Sequence, residues 1–80
     1  VVDDELAVRQ VLAGQLGDIG HQVEHVGTGQ AAIERLAKGD VDIALCDIRL
    51  PDVNGIEVMR QTLAAGVETT FLAMTAYASV

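Results

Sequence analysis

Apolar side chains recur every three or four residues in three parts of the chain, and this spacing predicts three helices. The first covers roughly residues 5–16, with Asp4 as its N-cap. The second and third begin after the capping residues Thr28 and Asn54, and a glycine ends each of the three. The apolar side chains expected on the buried faces are Val8, Leu12 and Leu16, then Ala32, Ile33 and Leu36, then Ile56, Met59 and Leu63.

Apolar runs that are too short for helices separate the predicted helices. Residues 41–46 are almost entirely apolar, which is typical of a strand buried on both faces in a parallel sheet. Residues 70–74 predict a similar strand, residues 22–26 a more polar edge strand, and the first two valines the end of another. The resulting order, βαβαβαβ, has connections too long for hairpins, so it predicts a parallel sheet with helices on its faces.

Three carboxylates and a hydroxyl stand where the predicted strands end. Asp3 and Asp4 follow the first strand, Asp47 follows the third and Thr75 follows the fourth. Right-handed crossovers bring the carboxyl ends of parallel strands to one edge, where open α/β sheets bind ligands. Clustered carboxylates repel one another unless a cation intervenes, and Mg²⁺ prefers such oxygen ligands. Asp47 ends a buried strand, which makes it the best candidate for a nucleophile that accepts a phosphoryl group.

Composition excludes several classes of protein. The 80 residues suffice for one small domain, 50% of them are hydrophobic, and the formal net charge is −7. That charge argues against nucleic-acid contact by this segment, because phosphates need a basic surface. No apolar stretch is long enough to cross a bilayer, no signal segment opens the chain, and the single cysteine allows no internal disulfide. We therefore expect a cytoplasmic protein without membrane contact.

Each candidate residue also has an ordinary structural interpretation. A lone aspartate before a helix or after a strand is often a cap or turn residue, and Cys46 on a buried strand is expected to pack in the core. His21 and His25 would lie about 13 Å apart on an extended segment, too far to share one ion, which favours solvated surface histidines. The Gly-Thr-Gly stretch at 27–29 lacks the longer pattern of a phosphate-binding loop. Only the joint placement of the carboxylates at strand ends favours a functional site.

The chain resembles the receiver (response-regulator) domain of two-component signal transduction along essentially its whole length. The residues that carry the resemblance are Asp3, Asp4, Asp47, Leu50, Pro51, Gly55, Thr75 and Ala76. The resemblance implies a flavodoxin-like (CheY-like), doubly wound parallel sheet in a three-layer αβα arrangement. It also implies a phosphoprotein that takes a phosphoryl group from a sensor histidine kinase or a phosphotransfer protein in a Mg²⁺-dependent reaction. Such a module catalyses only its own phosphorylation and dephosphorylation and is not an enzyme with a free substrate.

The resemblance implies a role for each site residue. Asp47 would be the phosphoacceptor and, with Asp4, a direct ligand of Mg²⁺. Asp3 would act on the metal mainly through water, and the backbone carbonyl of Arg49 would complete the protein ligands. At the end of the predicted fourth strand, Thr75 would supply the hydroxyl that responds to phosphorylation, called the switch hydroxyl. Ala76 would be the small residue beside it.

The chain also departs from the family pattern. Receiver domains continue with a further helix, a fifth strand that ends in a lysine, and a fifth helix, whereas this sequence stops at Val80. Its only lysine, Lys38, is expected at the opposite end of the sheet and is no substitute. We therefore interpret residues 1–80 as a partial receiver domain that is also shortened at the start of its first strand.

These departures keep a second hypothesis open. The fourth strand would be an apolar edge and one sheet face would be uncovered, which favours a homodimer or a partner chain there. The alternative function is thus a receiver-like interaction or dimerisation module that is never phosphorylated. A phosphatase with an aspartate nucleophile ranks lower, because it would need a second carboxylate where Arg49 stands. The output, whether transcription regulation or another response, is not specified by these residues.

Overall fold

The structure, a computed structural model, describes residues 1–74. Its helices and strands within that range are α1 (Leu6–Asp18), α2 (Gly29–Leu36), β1 (Ile43–Asp47), α3 (Gly55–Ala64) and β2 (Thr70–Met74). No helix within that range is long and apolar enough to cross a membrane. The predictions for Thr75 and Ala76 lie outside the described residues.

The sheet has the strand order of a doubly wound α/β fold. β1 pairs in parallel with β2 along its whole length. On the other side of β1, Val2 forms isolated parallel bridges with Cys46 and with Val26. The order across the sheet is therefore Val26, Val2, β1, β2, which is the flavodoxin-like order in which the first segment lies between the second and the third. The predicted fold class is confirmed, although residues 22–26 contribute one bridge rather than the predicted edge strand.

The hydrophobic core lies on the face of β1 that packs against α2 and α3. Side chains alternate along a strand, so Ala44 and Cys46 are buried here while Ile43 and Leu45 point to the other face. The prediction of a strand buried on both faces is wrong at Ile43, which is 54% exposed. The buried hydrophobic residues of the described chain are Val2, Ala32, Leu36, Ala44, Cys46 and Val58.

The buried face of α3 differs from the predicted one. The three predicted core residues were Ile56, Met59 and Leu63, whereas the buried residues are Gly55, Val58 and Thr62. Ile56 and Leu63 are instead 55% and 53% exposed. Thr62 can face the core because its hydroxyl donates to the carbonyl of Val58 at 2.8 Å, which satisfies the polar group within the helix.

Two of the three predicted helix caps are present. The predicted Asp4 cap of α1 is wrong, because Glu5 occupies the N-cap position and makes no side-chain capping hydrogen bond within the described residues. The side chains of Thr28 and Asn54 accept hydrogen bonds from backbone N–H groups at the starts of α2 and α3, at 3.1 and 2.8 Å. At α1, by contrast, the Asp3 carboxylate accepts from the N–H of Glu5 at 2.9 Å. Asp3 reaches this N–H because it precedes it by two residues, the spacing of an aspartate-capped turn.

Candidate functional site

Three aspartates meet at the edge of the sheet where the strands end. One carboxylate oxygen from each of Asp3, Asp4 and Asp47 lies within 4.8 Å of the corresponding oxygens of the other two. Asp47 is the last residue of β1, and Asp3 and Asp4 follow the Val2 bridge beside it. Because adjacent parallel strands end at the same edge, residues more than forty positions apart in sequence become neighbours.

The first two aspartates differ in how firmly they are held. Asp3 is buried, at 7% exposure, while Asp4 is exposed. The carboxylate of Asp3 accepts from the N–H of Glu5, and its backbone carbonyl accepts from the Arg9 guanidinium at 2.8 Å. Arg9 also donates through Nε to Nδ1 of His25, at 3.1 Å. The prediction of merely solvated histidines is therefore incomplete, because His25 anchors the side chain that supports Asp3.

Asp47 is fixed by the backbone on both sides of it. Its N–H donates to the carbonyl of Val2 at 2.8 Å, which joins the strands just before the site. Its side-chain Oδ1 accepts from the N–H of Arg49 at 3.0 Å, so the loop that follows turns back over the carboxylate. Arg49, predicted to offer its backbone carbonyl to a metal, thus lies directly beside the Asp47 side chain.

Gly55 closes the loop after Asp47 by an unusually close approach. Its N–H donates to the carbonyl of Ile48 at 2.9 Å. A Cβ atom at this position would lie 2.2 Å from the carbonyl oxygen of Asp47, so only glycine fits there. This contact brings the start of α3 against the end of β1, and it explains why α3 buries the face that contains Gly55.

The donor set of the three aspartates fits a hard divalent cation. All three ligand atoms are carboxylate oxygens, which favour Mg²⁺ or Ca²⁺ over softer metals. Octahedral Mg²⁺ with ligands at about 2.1 Å holds its oxygens roughly 3 to 4 Å apart, slightly closer than the 4.8 Å limit of this cluster. The exposed Asp4 has room to close that difference. The aspartates can therefore hold such an ion, with Asp3 and Asp47 as its rigid side.

Cys46 precedes Asp47 but belongs to the core. It is 4% exposed, and burial together with the neighbouring Asp47 charge raises the pKa of its thiol from the ordinary 9.0 to about 11.

Only the thiolate reacts with alkylating reagents, so at pH 8 we expect Cys46 to react about 100-fold more slowly than a thiol of ordinary pKa. The rate of iodoacetamide labelling over pH 7–9 measures this, with the urea-unfolded protein as control. Equal rates for folded and unfolded protein would contradict the burial of this thiol.

Asp52 is the residue that sequence reasoning missed. It lies in the loop after Asp47 and was not among the predicted site residues. Its two carboxylate oxygens accept from the N–H groups of Gly29 and Gln30, both at 2.8 Å. The start of α2 is thus occupied by a carboxylate of the chain itself, in agreement with the rejection of a phosphate-binding loop at 27–29. Asp52 gave no local signal, because its partners lie more than twenty residues away.

The sequence matches one protein family along its whole length, the response regulator receiver domain, over residues 1–80. It is 36% identical over 80 residues to the response regulator MprA of Mycolicibacterium vanbaalenii, covering 100% of this chain and 35% of that protein. It is 35% identical over 78 residues to the sensor histidine kinase RcsC of Escherichia coli, covering 98% and 8%. The chain is also 34% identical over 80 residues to the transcriptional regulatory protein ZraR of Klebsiella oxytoca, covering 100% and 18%. It spans about a third or less of the length of these relatives.

Solved structures agree with the family match. The response regulator MaeR bound to beryllium trifluoride superposes with a TM-score of 0.84 at 26% identity, covering 98% of this chain and 66% of that chain. A mutant of MaeR bound to sulfate gives a TM-score of 0.82, also at 26% identity, over 94% of this chain and 63% of that chain. The described sheet and helices therefore have the arrangement of these longer structures.

Proposed function

Because the chain belongs to the response regulator receiver domain family of two-component systems, we propose that it accepts a phosphoryl group on Asp47. Receiver domains interact with histidine kinases, and we propose such a kinase, or a phosphotransfer protein, as the donor. The observation that supports this most directly is the cluster of Asp3, Asp4 and Asp47, whose oxygens lie within 4.8 Å of one another at the end of β1. A carboxylate at a rigid strand end, beside two others that could hold a cation, suits this reaction, because phosphoryl transfer depends on positioning and on neutralising charge.

The proposed reaction is a nucleophilic displacement at phosphorus. A carboxylate oxygen of Asp47 forms the new O–P bond while the N–P bond of a donor phosphohistidine breaks. The departing imidazole nitrogen keeps the electron pair of that bond and takes up a proton. A bound Mg²⁺ would neutralise the charge on the phosphoryl oxygens. The protein changes only its own covalent state, so it is not an enzyme acting on a free substrate.

The remaining residues have supporting roles in this proposal. Asp4 and Asp47 would contact Mg²⁺ directly, Asp3 mainly through water, and Arg49 through its backbone carbonyl. The hydrogen bond from the Arg49 N–H to Oδ1 of Asp47 supports this set, because it holds one carboxylate oxygen while the side chain remains half-buried. For the switch hydroxyl and its small neighbour we propose Thr75 and Ala76, on the family resemblance alone.

An exposed apolar surface supports a second candidate function, an interaction or dimerisation module. Ile43 and Leu72, which are 54% and 49% exposed, lie on the sheet face away from α2 and α3. Pairing of two copies across this surface would cover both residues. A module of this kind would not need Asp47 as an acceptor, so a phosphorylation experiment separates the two candidates.

Replacement of Asp47 tests the proposed acceptor. Incubated with Mg²⁺ and acetyl phosphate, the protein at its full natural length is expected to gain one phosphoryl group, and its Asp47→Asn variant is expected to gain none. Intact-mass spectrometry measures the gain, and its loss after hydroxylamine treatment identifies an acyl phosphate. Asp42→Asn is the matched control, because Asp42 is an exposed carboxylate at the opposite end of β1. Equal labelling of Asp47→Asn would show that the acceptor is another residue, and an unlabelled parent protein would favour the interaction module.

A further inference from the structure

The segment between β1 and α3, residues 48–54, is here called the acceptor loop. It contains Arg49, whose N–H donates to the Asp47 carboxylate. It also contains Asp52, whose two oxygens accept from the N–H groups of Gly29 and Gln30 in the first turn of α2. These two hydrogen bonds lower the pKa of Asp52 from its ordinary value. The acceptor loop is thereby joined to a helix that precedes it by more than twenty residues.

Side-chain packing strengthens this connection. A Cβ atom on Gly29 would lie 2.1 Å from Cγ2 of Val53 and 3.2 Å from Cγ2 of Val58. Val53 therefore fills the space that a side chain at Gly29 would need, in direct contact with the helix backbone. Because Gly29 is buried, the carboxylate of Asp52 and the methyl group of Val53 hold α2 from two adjacent positions of the loop.

The two ends of the acceptor loop are fixed independently of α2. At its start, the Asp47 side chain accepts from the N–H of Arg49. At its end, Asn54 caps α3 and the N–H of Gly55 donates to the carbonyl of Ile48. Asp52 lies between these anchors, so it controls the middle of the loop. Its loss would leave only the packing of Val53 to hold the middle of the loop against α2, while both ends remain attached.

We propose that Asp52 is a positioning residue of the Asp47 site. Its two hydrogen bonds to the N–H groups of Gly29 and Gln30, here called the clasp, hold the acceptor loop against α2 and so couple metal binding to the first turn of that helix. The proposal rests on the proposed function, because it concerns the same metal site. Asp52 is not one of the three aspartates that would hold the ion. It acts through the backbone of the acceptor loop, which contains Arg49. Replacing a residue that orients a metal ligand without contacting the metal typically changes metal affinity by about 10- to 100-fold.

Coupling of this kind is reciprocal. If the clasp strengthens Mg²⁺ binding by some factor, Mg²⁺ strengthens the clasp by the same factor. The N–H groups of Gly29 and Gln30 report the clasp, because each is protected only while it donates to Asp52. We therefore expect saturating Mg²⁺ to slow hydrogen exchange at these two amides, and we expect no such slowing in Asp52→Ala.

The chain offers a matched control for the structural effect of Asp52. Thr28→Ala also removes an acceptor from the start of α2, since the Thr28 hydroxyl accepts from the N–H of Ala31 at 3.1 Å. Both variants are expected to lower the melting temperature by a few degrees through loss of helix capping. Within residues 1–74, no hydrogen bond joins the Thr28 side chain to the acceptor loop, so only Asp52→Ala should disturb the metal site.

The experiment measures Mg²⁺ affinity by titration calorimetry on the protein at its full natural length, well below the melting temperature of every variant. Asp52→Ala is expected to weaken Mg²⁺ binding about tenfold, and Thr28→Ala less than about twofold. Asp52→Asn keeps one acceptor oxygen and is expected to fall between Asp52→Ala and the parent. Equal losses in Asp52→Ala and Thr28→Ala, or an unchanged Asp52→Ala, would overturn the positioning role alone. A parent protein that does not bind Mg²⁺ would overturn the proposed function as well.

Discussion

Replacement of Gly55 by alanine is expected to lower the free energy of unfolding by about 3 kcal/mol and to disable the Asp47 site. The added Cβ would lie 2.2 Å from the carbonyl oxygen of Asp47 and 3.0 Å from its carbonyl carbon and from Cα of Ile48. All three are backbone atoms, so no side-chain rotation relieves the contact. Either α3 or the end of β1 must move, and each movement displaces the proposed acceptor carboxylate.

Urea unfolding measures the stability change, and Mg²⁺ titration of the same variant measures the effect on the site. Gly14→Ala is the matched control, because Gly14 lies within α1 and a Cβ there would meet nothing within 4 Å beyond the adjoining helix backbone, among the described residues. Helix propensity predicts that this control is stabilised by about 0.5 to 1 kcal/mol. A Gly55→Ala protein as stable as the parent would contradict the close approach of α3 to Asp47.

The contact between Gly55 and Asp47 explains one failure of prediction from the sequence, whereas the successes have local causes. The caps at Thr28 and Asn54 and the bounds of β2 follow from local chemistry, so the sequence was sufficient to predict them. The rotation of α3 about its axis does not follow from apolar spacing, because the close approach of Gly55 determines it. Hydrophobic periodicity therefore predicted a buried Ile56, whereas the structure places that side chain on the surface.

The candidate site, too, could be predicted from the sequence only in part. Sequence order alone brings Asp3, Asp4 and Asp47 to one edge, because parallel strands with long connections end together. The hydrogen bonds that orient them were not predictable from local pattern. Asp3 also supports the start of α1, and Asp52 contacts α2 across more than twenty residues. Aspartate is common in turns, so its residue type did not distinguish a long-range contact from a local one.

Removal of the Asp4 charge is expected to remove about half of the stabilisation by Mg²⁺ without destabilising the metal-free protein. Two charges 4.8 Å apart repel by about 1 kcal/mol in a water-like environment, and Asp4 lies within that distance of two others. Asp4→Asn relieves this repulsion, so the metal-free variant should be at least as stable as the parent. A hundredfold excess of Mg²⁺ over Kd would stabilise the parent by about 2.7 kcal/mol. A tenfold weaker site would gain only about 1.4 kcal/mol at the same concentration.

Asp3→Asn separates charge from structure at the neighbouring position. The asparagine oxygen can still accept from the N–H of Glu5, so the start of α1 is kept while the charge is lost. Asp3→Ala removes both and should cost about 1 kcal/mol more, the typical net contribution of one hydrogen bond. Thermal unfolding with and without Mg²⁺ measures each variant, and Asp42→Asn, far from the cluster, should respond like the parent.

If Mg²⁺ stabilised Asp4→Asn as much as it stabilises the parent, the ion would bind elsewhere. The cluster would then be a repulsive site that only a proton or another cation relieves.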